Sequence, residues 1–279
     1  LIGCIATVYT TLGGIVAVVW TDIIQFIILI SGAIWICISL VENTPGGLQL
    51  IIDNACNANK FDIFTWDINW MKLSVPVVAI SFFLQLMQEY GTDQVTVQRM
   101  MATGSQKKTI KAISFNAVTD LITISLLLFI GLGLFSFYDS YTLPDHIISD
   151  NLMVYFIITE LPDGISGLII TAIFAAAMSS LDSGINSLTA VILNDFKKSN
   201  QKTILHARLL TILLGIIATV AAFYVSNIGG LIKAFASFMG LFSAPVLALF
   251  LIGVLTKNGN LKGWLIGLLV SIPFTLWLQ

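Results

Sequence analysis

The sequence predicts an all-α polytopic membrane protein, and three observations carry that prediction. Of its 279 residues, 57% are hydrophobic and only 10% are charged, where a soluble domain carries about 25% charged residues. Mean hydropathy is +0.95, and several apolar runs reach the roughly 20 residues that a membrane-crossing helix needs. Finally, residues 175–187, Ala-Ala-Ala-Met-Ser-Ser-Leu-Asp-Ser-Gly-Ile-Asn-Ser, set oxygen-bearing side chains in the middle of one such run.

In chain order, residues 1–12 read as the tail of a span. Full spans follow at about 14–41, 73–98, 110–138, 165–194, 204–226, 229–255 and 261–279, all in one transmembrane domain. Gly13-Gly14, Gly46-Gly47 and Gly229-Gly230 punctuate span boundaries and loops, as helix breakers do. Leu1 is not an initiator Met, and the opening stretch is too short to cross a bilayer, so the chain reads as a piece of a longer one. Basic loops stay cytoplasmic. Arg99, Lys107, Lys108 and Lys111 follow the second full span, Lys197, Lys198, Lys202 and Arg208 the fourth, and Lys257 and Lys262 the sixth. The alternate loops are acidic, with Glu42 and Asp53 in one and Asp145, Asp150 and Asp163 in another. The expected placement is multi-pass in the plasma (inner) membrane, with Gln279 toward the outside.

Catalytic patterns do not emerge. His146 and His206 lack metal-binding spacing, and Cys4, Cys37 and Cys56 imply no disulfide framework. There is no nucleophile elbow, no P-loop and no dinucleotide fingerprint, so an enzyme is not expected. The expected partners are a small-molecule solute and the lipid bilayer, with no nucleic acid.

The polar residues inside the spans hold the functional information. At a 3.6-residue period Ser179, Ser180, Ser183, Asn186 and Ser187 share one face, with Ala176 one turn earlier. Such oxygens suit a small, hard, desolvated cation. Small residues also serve close helix packing, which explains the alanines and one or two serines but not Asp182 or Asn186. Asp22, roughly two turns into the first full span, is either near enough to the edge to reach water or functional beside Thr21 and Gln25. A charge at mid-bilayer costs about 2.5–3.5 kcal/mol. Asp120 reads as a structural or water-facing carboxylate. The second full span ends in Gln85, Gln88, Glu89, Tyr90, Gly91, Thr92, Asp93, Gln94 and Gln98 before Arg99, too polar for a regular lipid-facing helix. Gly91 is the expected point of a local break, a device by which transporters expose backbone groups to solute or ion. Gln85, Gln88 and Glu89 are expected to line a cavity, and Gln98 and Arg99 to emerge hydrated into the cytosol.

Four segments resemble the sodium:solute symporter family, which includes sodium–glucose, proline, iodide, monocarboxylate and sialic acid transporters. Gly13-Gly14 through Thr21-Asp22-Ile23-Ile24-Gln25 is similar to its GG-x-x-AV-x-x-TD-x-x-Q segment. Thr92-Asp93-Gln94 through Val97-Gln98-Arg99 resembles TDQ-x-x-VQR, and Ser179-Ser180 through Asn186-Ser187 resembles SS-x-x-S-x-x-NS. Pro245 to Gly253 with Asn260-Leu261-Lys262-Gly263 resembles P-x-x-x-x-F-x-x-G…N-x-KG. Four motifs in order cover nearly the whole chain.

The resemblance implies a LeuT-like inverted-repeat transporter fold. This chain would carry the end of the fourth core helix, the fifth, the complete second repeat and one extra helix. It implies sodium-coupled symport of a small organic solute, an organic anion such as sialic acid or a sugar, by alternating access. The main sodium site would take the Ala176 carbonyl and the Ser179 and Ser180 hydroxyls. A second site, present in some members, would take Asp22 and Ser183, with Asp182 standing where those members carry another serine. Solute contacts would fall at Gln85, Gln88, Glu89, Tyr90 and, on the tenth core helix, Ser237; Glu89 departs from the sugar-transporting pattern. The rival classes are a membrane sensor that keeps the transporter fold without net transport, and a passive channel, which the short loops disfavour.

Overall fold

The computed structural model describes residues 2–61, 66, 74–140, 151–196, 203–225, 231–257 and 259–278; the side chains of 140, 196, 203, 224, 225, 231–238 and 278 fall outside the description. The elements run α1 (Ile2–Asn43), α2 (Gly47–Asn57), α3 (Val75–Thr92), α4 (Gln94–Ala102) and α5 (Gln106–Ser140). They continue with α6 (Leu152–Thr159), α7 (Asp163–Phe196), α8 (Thr203–Val225), α9 (Leu231–Leu255) and α10 (Leu261–Leu278). Among the described residues four stretches, Ile2–Asn43, Gln106–Asp139, Asp163–Asp195 and Ile204–Phe223, are long and apolar enough to cross a membrane. Large apolar side chains such as Leu12, Trp20, Leu128 and Leu213 are exposed on their outer faces, as they are where the surroundings are lipid.

α1 turns sharply at Gly14, whose φ of 56° and ψ of −150° belong to backbone that only glycine adopts without strain. The turn sends residues 2–13 toward α8 and residues 15–43 along α7 and α5. Glycine makes the first of these contacts close: a Cβ at Gly215 would overlap the Thr7 side chain, and one at Gly3 would overlap Thr219. The threonine hydroxyls are satisfied locally. Thr7 Oγ1 donates to the Gly3 carbonyl at 2.6 Å and Thr219 Oγ1 to Gly215 at 2.7 Å, so neither of these two hydroxyls is left as a free donor.

The apolar core lies where α1, α5, α6 and α7 meet. Ile36, Leu40, Leu134, Phe137, Phe156 and Ile169 are buried together there, with Phe137 edge-on to Phe156 at 5.3 Å between ring centroids. This packing holds residues 15–43 of α1 against α7, the most extensive helix pair in the fold, and so sets the two elements that carry the polar residues.

The break between α3 and α4 falls at Asp93, not at Gly91. Asp93 leaves helical geometry (φ −71°, ψ 119°), and its Oδ2 accepts from the Thr96 amide and the Thr96 hydroxyl, both at 2.9 Å. Asp is among the best N-caps, and it starts α4 where α3 ends. Gly91 stays helical and serves packing: a Cβ there would stand 3.0 Å from the Phe250 ring on α9. Asp93→Ala should lower the melting free energy of the intact protein by about 1 kcal/mol, whereas Asp93→Asn, which caps equally well, should not. Paired thermal melts in detergent check this. At the far end, Asn260 Oδ1 accepts from the Gly263 amide at 2.7 Å and caps α10, while Trp264 Nε1 donates to the Pro245 carbonyl at 3.0 Å and ties α10 to α9.

Candidate functional site

Asp22 is the centre of a polar cluster shared by α1, α4 and α7. Ser179 Oγ donates to its Oδ1 at 2.5 Å. Arg99 Nη2 donates to its Oδ2 at 2.5 Å and to Ser183 Oγ at 2.7 Å. Ser183 Oγ in turn lies 3.4 Å from Asp182 Oδ1, and the Tyr9 hydroxyl donates to Asp182 Oδ2. The chain of contacts therefore runs Tyr9, Asp182, Ser183, Arg99, Asp22, Ser179. At this depth in a membrane helix an unpartnered carboxylate is expensive, and here both carboxylates have donors.

Local structure places each member. Residues 15–43 of α1 carry Asp22 on the side that meets α7. On α7, Ser179 and Ser183 are one turn apart and both reach α1 or α4. The cap at Asp93 starts α4 so that Arg99, in its last turn, points back at Asp22. The Gly14 turn brings Tyr9 to Asp182, although 173 positions separate them in sequence.

The serine stripe is not one uniform face. Ser183, Ser187 and Asp182 are buried, Ser179 and Asn186 are half-buried, and Ser180 is exposed. Successive helical residues differ by about 100° in direction, so Ser179 turns to Asp22 while Ser180 turns away, its Oγ 3.4 Å from the Ala176 carbonyl. Ala176, Ser179 and Ser180 thus present three oxygens at the α7 surface, one of them already bonded to Asp22. Hydroxyl, carbonyl and carboxylate oxygens of this kind fit a hard monovalent cation.

Two residues belong to the cluster that were not among the expected site residues. Arg99, expected to be hydrated in the cytosol, keeps 45% of its side chain exposed and in addition forms an ion pair with Asp22, whose side chain is 17% exposed. Tyr9 carried no sequence signal at all. Asp182, fully buried, is held by Tyr9 and meets Asp22 only through Ser183 and Arg99. Of the expected solute contacts, Glu89 and Tyr90 line a cavity of about 260 Å³ with Thr96, Arg99 and Asn116. Gln85 and Gln88 do not line it. The Tyr90 hydroxyl accepts from Asn116, which also donates to Asp120 at 2.7 Å. The Ser237 side chain lies outside the described residues, as does that of Lys233.

Residues 1–271 match the model of the Sodium:solute symporter family. The chain belongs to that family. The sodium/sialic acid symporter NanT of Aliivibrio fischeri is 32% identical over 292 residues, covering 100% of this chain and 57% of that protein. The sodium/sialic acid symporter SiaT of Proteus mirabilis is 34% identical over 284 residues, with coverage of 98% and 57%. The sodium-coupled monocarboxylate transporter 2 of Homo sapiens is 31% identical, with coverage of 99% and 46%. The chain thus spans a little over half the length of these bacterial relatives. A solved structure of a Na+-coupled sialic acid symporter, substrate-bound and outward-open, superposes with a TM-score of 0.86 at 33% identity, over 97% of this chain and 58% of that one.

The sodium:solute symporter chain accordingly has the LeuT-like fold in part, in a multi-pass membrane protein. Its family motifs acquire physical roles here: Asp93 of the TDQ segment caps α4, Arg99 pairs with Asp22, and Asn260 caps α10.

Proposed function

We propose that this chain supplies the ion-binding side of a sodium-coupled symporter that takes up a small organic anion such as sialic acid by alternating access. The observation that carries the reading is the contact across α1 and α7, where Ser179 Oγ meets Asp22 Oδ1 at 2.5 Å inside a span. The names of the two sialic acid symporters among the relatives support the cargo class. All seven apolar runs are assigned as membrane spans.

Sodium is a co-transported substrate in this scheme. Ala176, Ser179 and Ser180 replace its water with a carbonyl and two hydroxyls, and Asp22, Ser183 and Asp182 form the second site. Solute contacts are assigned to Gln85, Gln88, Glu89, Tyr90 and Ser237, four of which lie on α3 just before its break. Each positive charge moving inward gains about 2.3 kcal/mol per 100 mV of membrane potential, enough to drive uphill cargo entry. Coupling then requires that ion and cargo favour the same conformation.

Vesicles bearing the intact protein should accumulate labelled sialic acid under an inward sodium gradient and fail to do so with choline or potassium in place of sodium. Equal accumulation in choline would overturn the proposal. A panel including a sugar, an inositol and an amino acid reads the cargo class in the same assay.

A further inference from the structure

Arg99 already puts a positive charge between two oxygens of the second site. Its Nη2 lies 2.5 Å from Asp22 Oδ2 and 2.7 Å from Ser183 Oγ. A metal ion on those oxygens and the guanidinium in its present place would be adjacent like charges, so one must yield to the other. Arg99 has somewhere to go. It lines a cavity of about 540 Å³ shared with Asp22, Trp20 and Thr103, and also the cavity of about 260 Å³ that holds Glu89, Tyr90 and Asn116. Arg99 therefore borders both cavities, one holding Asp22 and the other Glu89. Among the described residues no cation pairs with Glu89, and Asp93 and Asp120 are near enough to act on it as like charges. A guanidinium fork matches a carboxylate better than any other side chain.

We propose that Arg99 is an exchange cation with two seats, pairing with Asp22 until a monovalent metal ion takes the Asp22 and Ser183 oxygens and then pairing with Glu89. The exchange deepens the second-site reading given under Proposed function and rests on it. It has two consequences. Pairing Arg99 with Glu89 cancels one negative charge in the cavity beside the α3–α4 break, so an anionic cargo meets less repulsion there once the ion has bound. The same step frees α4 from its hold on α1 and α7, which links ion occupancy to movement of the helix after the break.

The test is a sodium titration of the purified intact protein, read as the rise in melting temperature without cargo, and repeated as sodium-dependent uptake. Arg99→Gln should lower the half-saturating sodium concentration at least threefold, because the competitor is gone. Glu89→Gln should raise it several-fold, because the competitor has lost its other seat. In the Arg99→Gln background, Glu89→Gln should have no further effect. An unchanged or raised sodium requirement in Arg99→Gln overturns the exchange, and so does an equal Glu89→Gln shift in both backgrounds. Asp22→Asn separates the two readings. If it leaves the titration untouched, the second site itself is wrong; if it weakens sodium while Arg99→Gln does nothing, only the exchange is wrong. Variants that melt like the parent in potassium keep the comparison free of folding defects.

Discussion

Ser180→Ala in the intact protein is expected to abolish sodium-dependent uptake at ordinary sodium concentrations while leaving membrane insertion unchanged. The substitution deletes one hydroxyl oxygen that stands 3.4 Å from the Ala176 carbonyl and alters nothing else of comparable size. A polar contact to a charged partner is worth about 1.5–3 kcal/mol, and each 1.4 kcal/mol is about tenfold in affinity. The half-saturating sodium concentration should therefore rise by about tenfold or more. Stability should hardly move, since Ser180 is exposed and exposed substitutions typically fall within about 0.5 kcal/mol. Sodium titration of uptake, normalised to protein in the membrane fraction, measures both. Unchanged sodium affinity would remove Ser180 from the site. Ser179→Ala makes an informative partner, because it also deprives Asp22 Oδ1 of its donor.

Gly215→Val should produce a large loss of stability at a position outside the proposed ion site. The added Cβ overlaps the hydroxyl and methyl of Thr7 across the α1–α8 contact, and Thr7 is itself buried. Overpacking of this kind costs about 1–3 kcal/mol. Residues 2–13 of α1 should pull away from α8, taking Tyr9 from Asp182. Thr7→Ala in the Gly215→Val background should restore part of the loss by removing the two overlapping atoms beyond Cβ. Melting temperatures of the parent, single and double variants check it; a Gly215→Val protein as stable as the parent would mean that α1 and α8 do not meet closely. Membrane helices make this test sharp, since their association depends on close backbone approach more than on apolar burial.

Much of the fold was legible because a bilayer imposes simple rules. Apolar length and period identify helices, and Gly13-Gly14 marks the place where α1 turns at φ 56°. The break in the polar end of α3 was legible as a break, but its position was not. Gly91 is the more flexible residue, yet Asp93 ends the helix because its carboxylate can satisfy the first amides of α4. Gly91 is glycine because Phe250 lies against it, a neighbour 159 positions away that no local pattern announces.

The site divides in the same manner. Composition and spacing by themselves determined that oxygen-bearing side chains lie along α7 within a span and that Asp22 lies within another, and the family resemblance supplied the proposed role of those oxygens. Only the tertiary structure decided who meets whom: Ser179 turns to Asp22 and Ser180 away, Asp182 is claimed by Tyr9, and Arg99, while still exposed, pairs with Asp22. The physical reason is one of range. Helix formation and membrane burial depend on residues within a few turns of one another, whereas the partner of a buried charge depends on how the Gly14 turn and the Asp93 cap aim distant helices.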